Sequence, residues 1–403
     1  MTATTGDSSL DNSNNASDVN RRKLISFTPS PPLHTTVHLS KQRTDEKKVD
    51  DPAAAYYEDE LQPLTTAILN RLDRAKTLAK DDKLLLAAHL LDGIDDRHLQ
   101  PTHREIVREA AIFKKLLRDQ SDESNNGGWT KQGWHTGRHN FSIDYKLNKS
   151  NHRQDLSCRI ETLIHSDLLV PILAVLNESD LYSTWLPDYN VPRLKVVKSE
   201  KWRQSGRCSQ IVNVETVVPW PLAKRQVILN AVACDDIDTY PDGSESESSA
   251  GKGEGRIIIR LQSLDCNDNG NEGLTIPPAM DGVVRMKVIG CFTIQKCPQD
   301  HPLEEFSLQY DAKAAAKPES PISREDLILV TFTFCCDPQL ANIPKSFINF
   351  FTRTAMGVFW EMFLNVAEEV KEGKRPAHSK AIEEKREDMY DWVEERTGVM
   401  LGM

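Results

Sequence analysis

From Asp337 to Val370 the chain reads DPQLANIPKSFINFFTRTAMGVFWEMFLNVAEEV, with apolar residues recurring at spacings of three and four. Asn342 is placed to cap a helix, and Pro344 falls in a first turn, where a missing N–H costs nothing. The next proline is Pro376, so the pattern predicts one helix to about Lys371, roughly 28 residues or ~42 Å long. At about 100° per residue, Ile343, Phe347, Phe350, Phe351, Ala355, Val358, Phe359, Met362, Val366 and Val370 share a broad face. Met356, Trp360, Phe363 and Leu364 fall outside it, so the middle of the helix is apolar nearly all round. Periodicity alone fits a core helix with a second contact surface as well as it fits a lid over something greasy.

The rest of the chain divides by period. Residues 1–57 are rich in Ser, Thr, Asn and Asp and predict a disordered tail, with seven Lys or Arg against two acids over 21–48. Over 58–120 the period is helical, broken at Gly93 and Pro101, and His89 reads as a packing histidine. SDESNNGG (121–128) is a linker. After it the period becomes two. A hairpin is predicted over 134–147 and a half-buried antiparallel strand over 156–164. A short helix pair follows at 166–185, with Ser166 as cap and Pro171 in the first turn. Strands come next at 191–202, 206–218, 225–235, 256–264, 282–294 and 325–336. An acidic insertion (235–255) and a Pro-, Ala- and Lys-rich one (296–323) interrupt them. A charged, solvated helix fills 373–403, with Met389, Trp392 and Val393 available to dock it. The economical architecture is α+β: a curved antiparallel sheet over 129–372 gripping its own C-terminal helix, preceded by the helical region. Such a grip leaves a space that side chains or a ligand must fill.

Composition narrows the function classes. A net charge of −10 argues against nucleic acid as a partner. No apolar run reaches transmembrane length, and the N-terminus lacks the apolar core of a signal peptide, so a cytoplasmic protein is expected. The eight cysteines show no CxxC spacing and read as reduced core thiols, with no metal site. No GxSxG, HExxH, Walker loop or dinucleotide fingerprint is present, and no cofactor is called for. GKGEG (251–255) reads as a turn, and His165, Asp337 and the Cys335–Cys336 pair read as capping or core residues. VVPWPLAKR (217–225) stands apart. Its prolines hold Trp220 in a tight segment beside Lys224 and Arg225, a composition equally suited to a membrane interface and to an indole folded over the sheet edge.

Four stretches, in order, resemble the START (steroidogenic-acute-regulatory-related lipid transfer) family. STWLP (183–187) resembles its tryptophan-proline turn, and PLAKRQVIL (221–229) its proline-to-arginine stretch. GVVRMKVIGCFTI (282–294) is similar to its Gly-x-x-Arg strand, and the passage from Phe332 to Phe350 to its entry into the long helix. The resemblance covers roughly residues 130–372. It implies a helix-grip fold and non-enzymatic binding, with intermembrane transfer, of one lipid between sheet and helix. Phe347, Phe350, Phe351, Ala355, Val358, Met362 and Met286 would then form cavity and lid. Trp220 and Lys224 would touch a transient membrane surface, and Trp185, Arg225, Arg285, Asp337 and Pro344 would be structural. Animal sterol-binding members carry a cavity arginine where this chain has Ala231. Arg285, of opposite parity to Val284, Met286 and Val288, should point away from the cavity. Two other readings stay open: a cyclase- or aromatase-type enzyme of the same broad fold class, and a lipid-responsive adaptor whose helices at 58–120 bind a protein partner.

Overall fold

The computed structural model describes residues 52–403 except 122–127, 136–137, 151–152, 191–192, 221, 239–253, 267–273, 300, 303–323, 338, 340–347, 349 and 403. The expected tail up to residue 51, most of both insertions, Pro344 and Phe347 lie outside the described residues, as does the side chain of Phe350. The compact body is Glu58–Met403.

Alternating branched and aromatic residues build the strands: β1 (Thr130–His135), β2 (Phe141–Ser150), β3 (Arg153–His165), β4 (Asp188–Asn190), β5 (Arg193–Gly206), β6 (Ser209–Val217), β7 (Lys224–Asp236), β8 (Arg256–Ser263), β9 (Val283–Arg285), β10 (Lys287–Lys296) and β11 (Leu327–Asp337). They form a single sheet in the order β1-β2-β3-β11-β10-β8-β7-β6-β5-β4, all antiparallel, with β9 added in parallel beside β7. β11 returns to lie between β3 and β10, and its register makes one face continuous. Ile143, Ile160, Phe332, Phe292, Ile259 and Ala233 stand side by side across six strands.

Helices cover both faces. On one, α1 (Pro52–Lys80), α2 (Leu84–Leu91) and α3 (Pro101–Ser121) bury Leu72, Ala75, Leu85, Ala110 and Phe113 with Cys234, Ile258 and Cys291 of the sheet. α1 begins at Pro52, inside the stretch expected to be a tail, because Pro52 suits a first helical turn and three alanines follow. On the other face lie α4 (Leu169–Asn177) and the long C-terminal helix, α5 (Met356–Lys371). His165, not Ser166, caps the turn leading into α4, its ring accepting from the Asp167 N–H at 3.4 Å.

The long helix departs from the expected wheel. A π turn occupies Phe350–Ala355, and α5 proper starts at Met356. The extra residue in that turn rotates everything after it by about 100° against an unbroken α-helix. Met356, Trp360, Phe363, Leu364 and Ala367 are therefore buried, while Val358 and Met362 are only half-buried. Trp360, with no exposure, lies parallel to Phe292 and Phe332, both ring centroids at 6.2 Å. Gly357 admits the ring of His135 from β1; a Cβ there would sit 3.3 Å from it.

Residues 373–403 are not a free charged helix. α6 (Pro376–Glu384), a π turn (Arg386–Tyr390) and α7 (Asp391–Leu401) form an arm that buries His378, Tyr390, Val393, Arg396 and Met400. Its charges at three and four spacing look solvated in sequence, yet several meet partners across the fold.

Two histidines give the body a pH dependence. His139 sits against α5, where burial and the neighbouring Arg138 hold its pKa down to about 4. Glu368 Oε1 lies 3.5 Å away, but Arg138 already claims that carboxylate. His378 is 1% exposed with neither ring nitrogen bonded, and burial lowers it too. The unfolded chain takes up these protons near pH 6.5 and the folded one only near 4 at His139, so their contribution to stability falls as pH drops through that window. Melting temperatures measured between pH 7 and 4 should decline, and less steeply for His139→Gln.

Candidate ligand cavity

Alternation along β6 and β7 builds the wall of a cavity. From β6 it takes Gln210, Val212, Val214 and Thr216, and from β7 Arg225, Val227, Leu229, Ala231, Ala233 and Asp235. Every second residue points inward, as a pleated strand requires. Ile257, Ile259 and Leu261 of β8 and the phenylalanines of β10 and β11 extend the wall, and Phe351, Ala355, Met356 and Phe359 close it from the helix side. The space amounts to about 480 Å³.

Of the residues expected to form cavity and lid, Phe351, Ala355 and Met286 reach this cavity. Val358 and Met362 do not line it, since the π turn rotates them off the inner face. Trp185, 5% exposed, lines it and lies 6.1 and 6.2 Å from Phe359 and Phe363, tying its turn to the helix. Arg225 is buried in the wall, where loss of solvent lowers its pKa, and its Nη1 donates to the Ala223 carbonyl at 2.6 Å. Arg285 is absent from the lining and bonds Gln226 Oε1 at 2.8 Å and the Pro277 carbonyl at 2.7 Å, pointing away as its parity requires. Asp337 holds the turn after β11 by accepting from the N–H and side-chain amide of Gln339 at 2.8 and 2.9 Å.

Trp220 is 92% exposed at the tip of the β6–β7 loop, which removes the reading that it folds over the sheet edge. Val218, Pro219 and Leu222 of the same loop line the cavity, so the loop is part of its rim, and Lys224 beside it is exposed. Parallel pairing of Lys224 with Val283 brings the loop ahead of β9 alongside, with Met280 61% exposed.

The C-terminal arm supplies what sequence reasoning missed. Met389, Trp392, Val393, Arg396 and Thr397 line the opposite end of the cavity. Arg396 reaches Asp235 through Nη2–Oδ1 at 2.5 Å and Nε–Oδ2 at 2.8 Å, and Asp238 at 2.9 and 3.0 Å. Burial works against the guanidinium charge, but these bonds outweigh it and hold the pKa above its ordinary value. Nearby, Glu178 accepts from Tyr390 Oη at 2.8 Å and from Lys385. Burial raises that carboxyl's pKa, yet the two partners bring it below the usual range. Arg207 stacks over Trp392 at 4.9 Å. In sequence, only the apolar spacing of Met389, Trp392 and Val393 signals docking; nothing marks Arg396 among its charged neighbours.

Burial pushes the Cys336 and Cys291 thiols up to about 12 and raises Cys335 as well, so these three are held in the unreactive thiol form. Among the described residues no group of three or more His, Cys, Asp or Glu is placed to hold a metal ion, and no helix is long and apolar enough to cross a membrane.

No protein-family model and no curated protein matches the chain. Solved structures do. The chain is similar to a STAR-related lipid transfer protein fragment from Xanthomonas axonopodis, at 16% identity and a TM-score of 0.36 over 60% of this chain and 99% of that one. It is similar to human STARD10, at 12% identity and 0.41 over 76% and 92%, and to human StAR-related lipid transfer protein 5, at 13% and 0.39 over 64% and 94%. On its own strand order, an open antiparallel sheet packed against a C-terminal helix, the chain has a helix-grip fold.

Proposed function

We propose that the protein binds one lipid in this cavity and carries it between membranes without altering it chemically. The observation that carries the reading is the cavity of about 480 Å³, walled by aliphatic and aromatic side chains and rimmed by an exposed tryptophan. Small-molecule sites span roughly 300–1,000 Å³, so this volume suits one single-chain or fused-ring lipid. Each large apolar group sheltered there gains about 1.5–3 kcal/mol, which makes transit through water tolerable. Asp235 in the wall is matched by Arg396, which argues against a free general base. In this mechanism the Trp220 loop rests in a membrane interface, with Lys224 near lipid headgroups, and the gap between loop and helix opens. The similar structures named above are of lipid transfer proteins, which agrees with this reading.

Native mass spectrometry with lipid extraction should find one lipid per chain; an empty protein that takes up no lipid from vesicles would sink the proposal. Trp220→Ala should slow transfer between vesicles roughly tenfold, the loss of one large anchoring side chain. Because Trp220 is 92% exposed, melting temperature and affinity for lipid already loaded should hardly move. Unchanged transfer would remove the loop from the mechanism.

A further inference from the structure

Gln210 is 6% exposed, yet it lies in the cavity wall on β6. The Ser179 hydroxyl donates to its Oε1 at 3.0 Å. Ser179 has no exposure, and its carbonyl accepts from the Ser199 hydroxyl at 2.6 Å, so the amide is pinned by a fixed neighbour. Its other end, Nε2, offers two N–H donors with no hydrogen-bond partner among the described residues. In a residue this buried, polar atoms usually find partners within the protein. Directly across the ladder stands Ala231, with Ala233 beyond it on the same wall. Two methyl groups leave the space over the amide to a ligand.

The surroundings set the charge of what fits. Asp235 shares the wall, four residues from Ala231 or ~13 Å along the strand. Its cation, Arg396, is already divided between Asp235 and Asp238. Glu178, next to Ser179 and 5% exposed, is bonded by Lys385 and Tyr390. An anion brought to Gln210 would meet two carboxylates whose cations are committed, and a cation would meet N–H donors. An uncharged oxygen satisfies the amide without either conflict. Resting on the reading that the cavity holds a lipid, we propose that Gln210 fixes the ligand's polar atom. The ligand class is then a neutral lipid whose hydroxyl or carbonyl oxygen accepts a hydrogen bond from Nε2.

The test uses the full chain loaded with the dye 1-anilinonaphthalene-8-sulfonate, displaced by hexadecane, hexadecan-1-ol, methyl palmitate or palmitate. The wild type should bind the alcohol and the ester about five- to tenfold more tightly than the alkane, the increment of one net hydrogen bond. Gln210→Met should erase that preference, so that the alcohol and the ester bind no more tightly than hexadecane does to the same variant. Should that variant fail to fold, Gln210→Asn, which keeps an amide but draws it back by one methylene, is expected to show the same loss. A preference retained in the variant overturns the role of Gln210 and leaves the lipid reading standing. Palmitate binding more tightly than the alcohol overturns the neutral class. If none of the four displaces the dye, the cavity reading fails and this proposal with it.

Discussion

Arg396→Met is expected to lower stability by about 3–5 kcal/mol, because it strands carboxylates in a site built around a guanidinium. Asp235 is 6% exposed and Arg396 likewise, and four hydrogen bonds from that one side chain join Asp235 and Asp238. Lys83, 3.7 Å from Asp238, partly covers the second carboxylate but not the first. For a domain this large the loss corresponds to roughly 5 °C in melting temperature. The double variant Asp235→Leu/Arg396→Met should recover more than half of it, since an apolar pair of similar size avoids burying either charge. Ligand retention should suffer as well. Arg396 fastens an arm whose Met389, Trp392 and Val393 are cavity wall, so loosening the arm opens that end. Thermal denaturation of the three variants, with lipid off-rates for each, checks both parts. A melting temperature within two degrees or so of the wild type for Arg396→Met would show that the arm is held by its apolar contacts alone.

The sheet is legible in the sequence because period-two alternation and turn residues are local signals. Strands over 256–264 and 325–336 were expected, and β8 and β11 run Arg256–Ser263 and Leu327–Asp337. The VVPWPLAKR stretch is equally suited to an exposed and to a folded-back Trp220, and its 92% exposure is settled only by the fold. Two further kinds of feature were not legible. Which face of the long helix turns inward depends on a single extra residue in one turn, and no composition marks a π turn within FFTRTA. The roles of Gln210 and Arg396 depend on partners far away in sequence: Gln210 meets Ser179 31 residues off, and Arg396 meets Asp235 161 residues off. A glutamine in an alternating strand, or an arginine in a charged helix, carries no trace of such a partner.

That contrast sets the order in which truncations along the helix cost stability. On an unbroken helical wheel Val358 and Met362 belong to the inner face and Trp360 does not, so truncating either of the first two should cost more. With the π turn in place the order reverses. Trp360 has no exposure and lies parallel to Phe292 and Phe332 at 6.2 Å, with Phe363 at 5.4 Å, so it is the bolt between helix and sheet. Trp360→Ala leaves a cavity between elements that cannot collapse onto each other, which costs about 3–5 kcal/mol. Its Nε1–H has no partner, so the loss is one of packing and ring contacts, not of a hydrogen bond. Trp360→Phe should therefore recover a large part of the loss. Val358 and Met362 are half-buried, and each alanine variant should cost about 1 kcal/mol. Chemical denaturation of the four variants ranks them directly. If Met362→Ala or Val358→Ala destabilises the protein more than Trp360→Ala does, the helix meets the sheet by the unbroken wheel and the π turn is wrong.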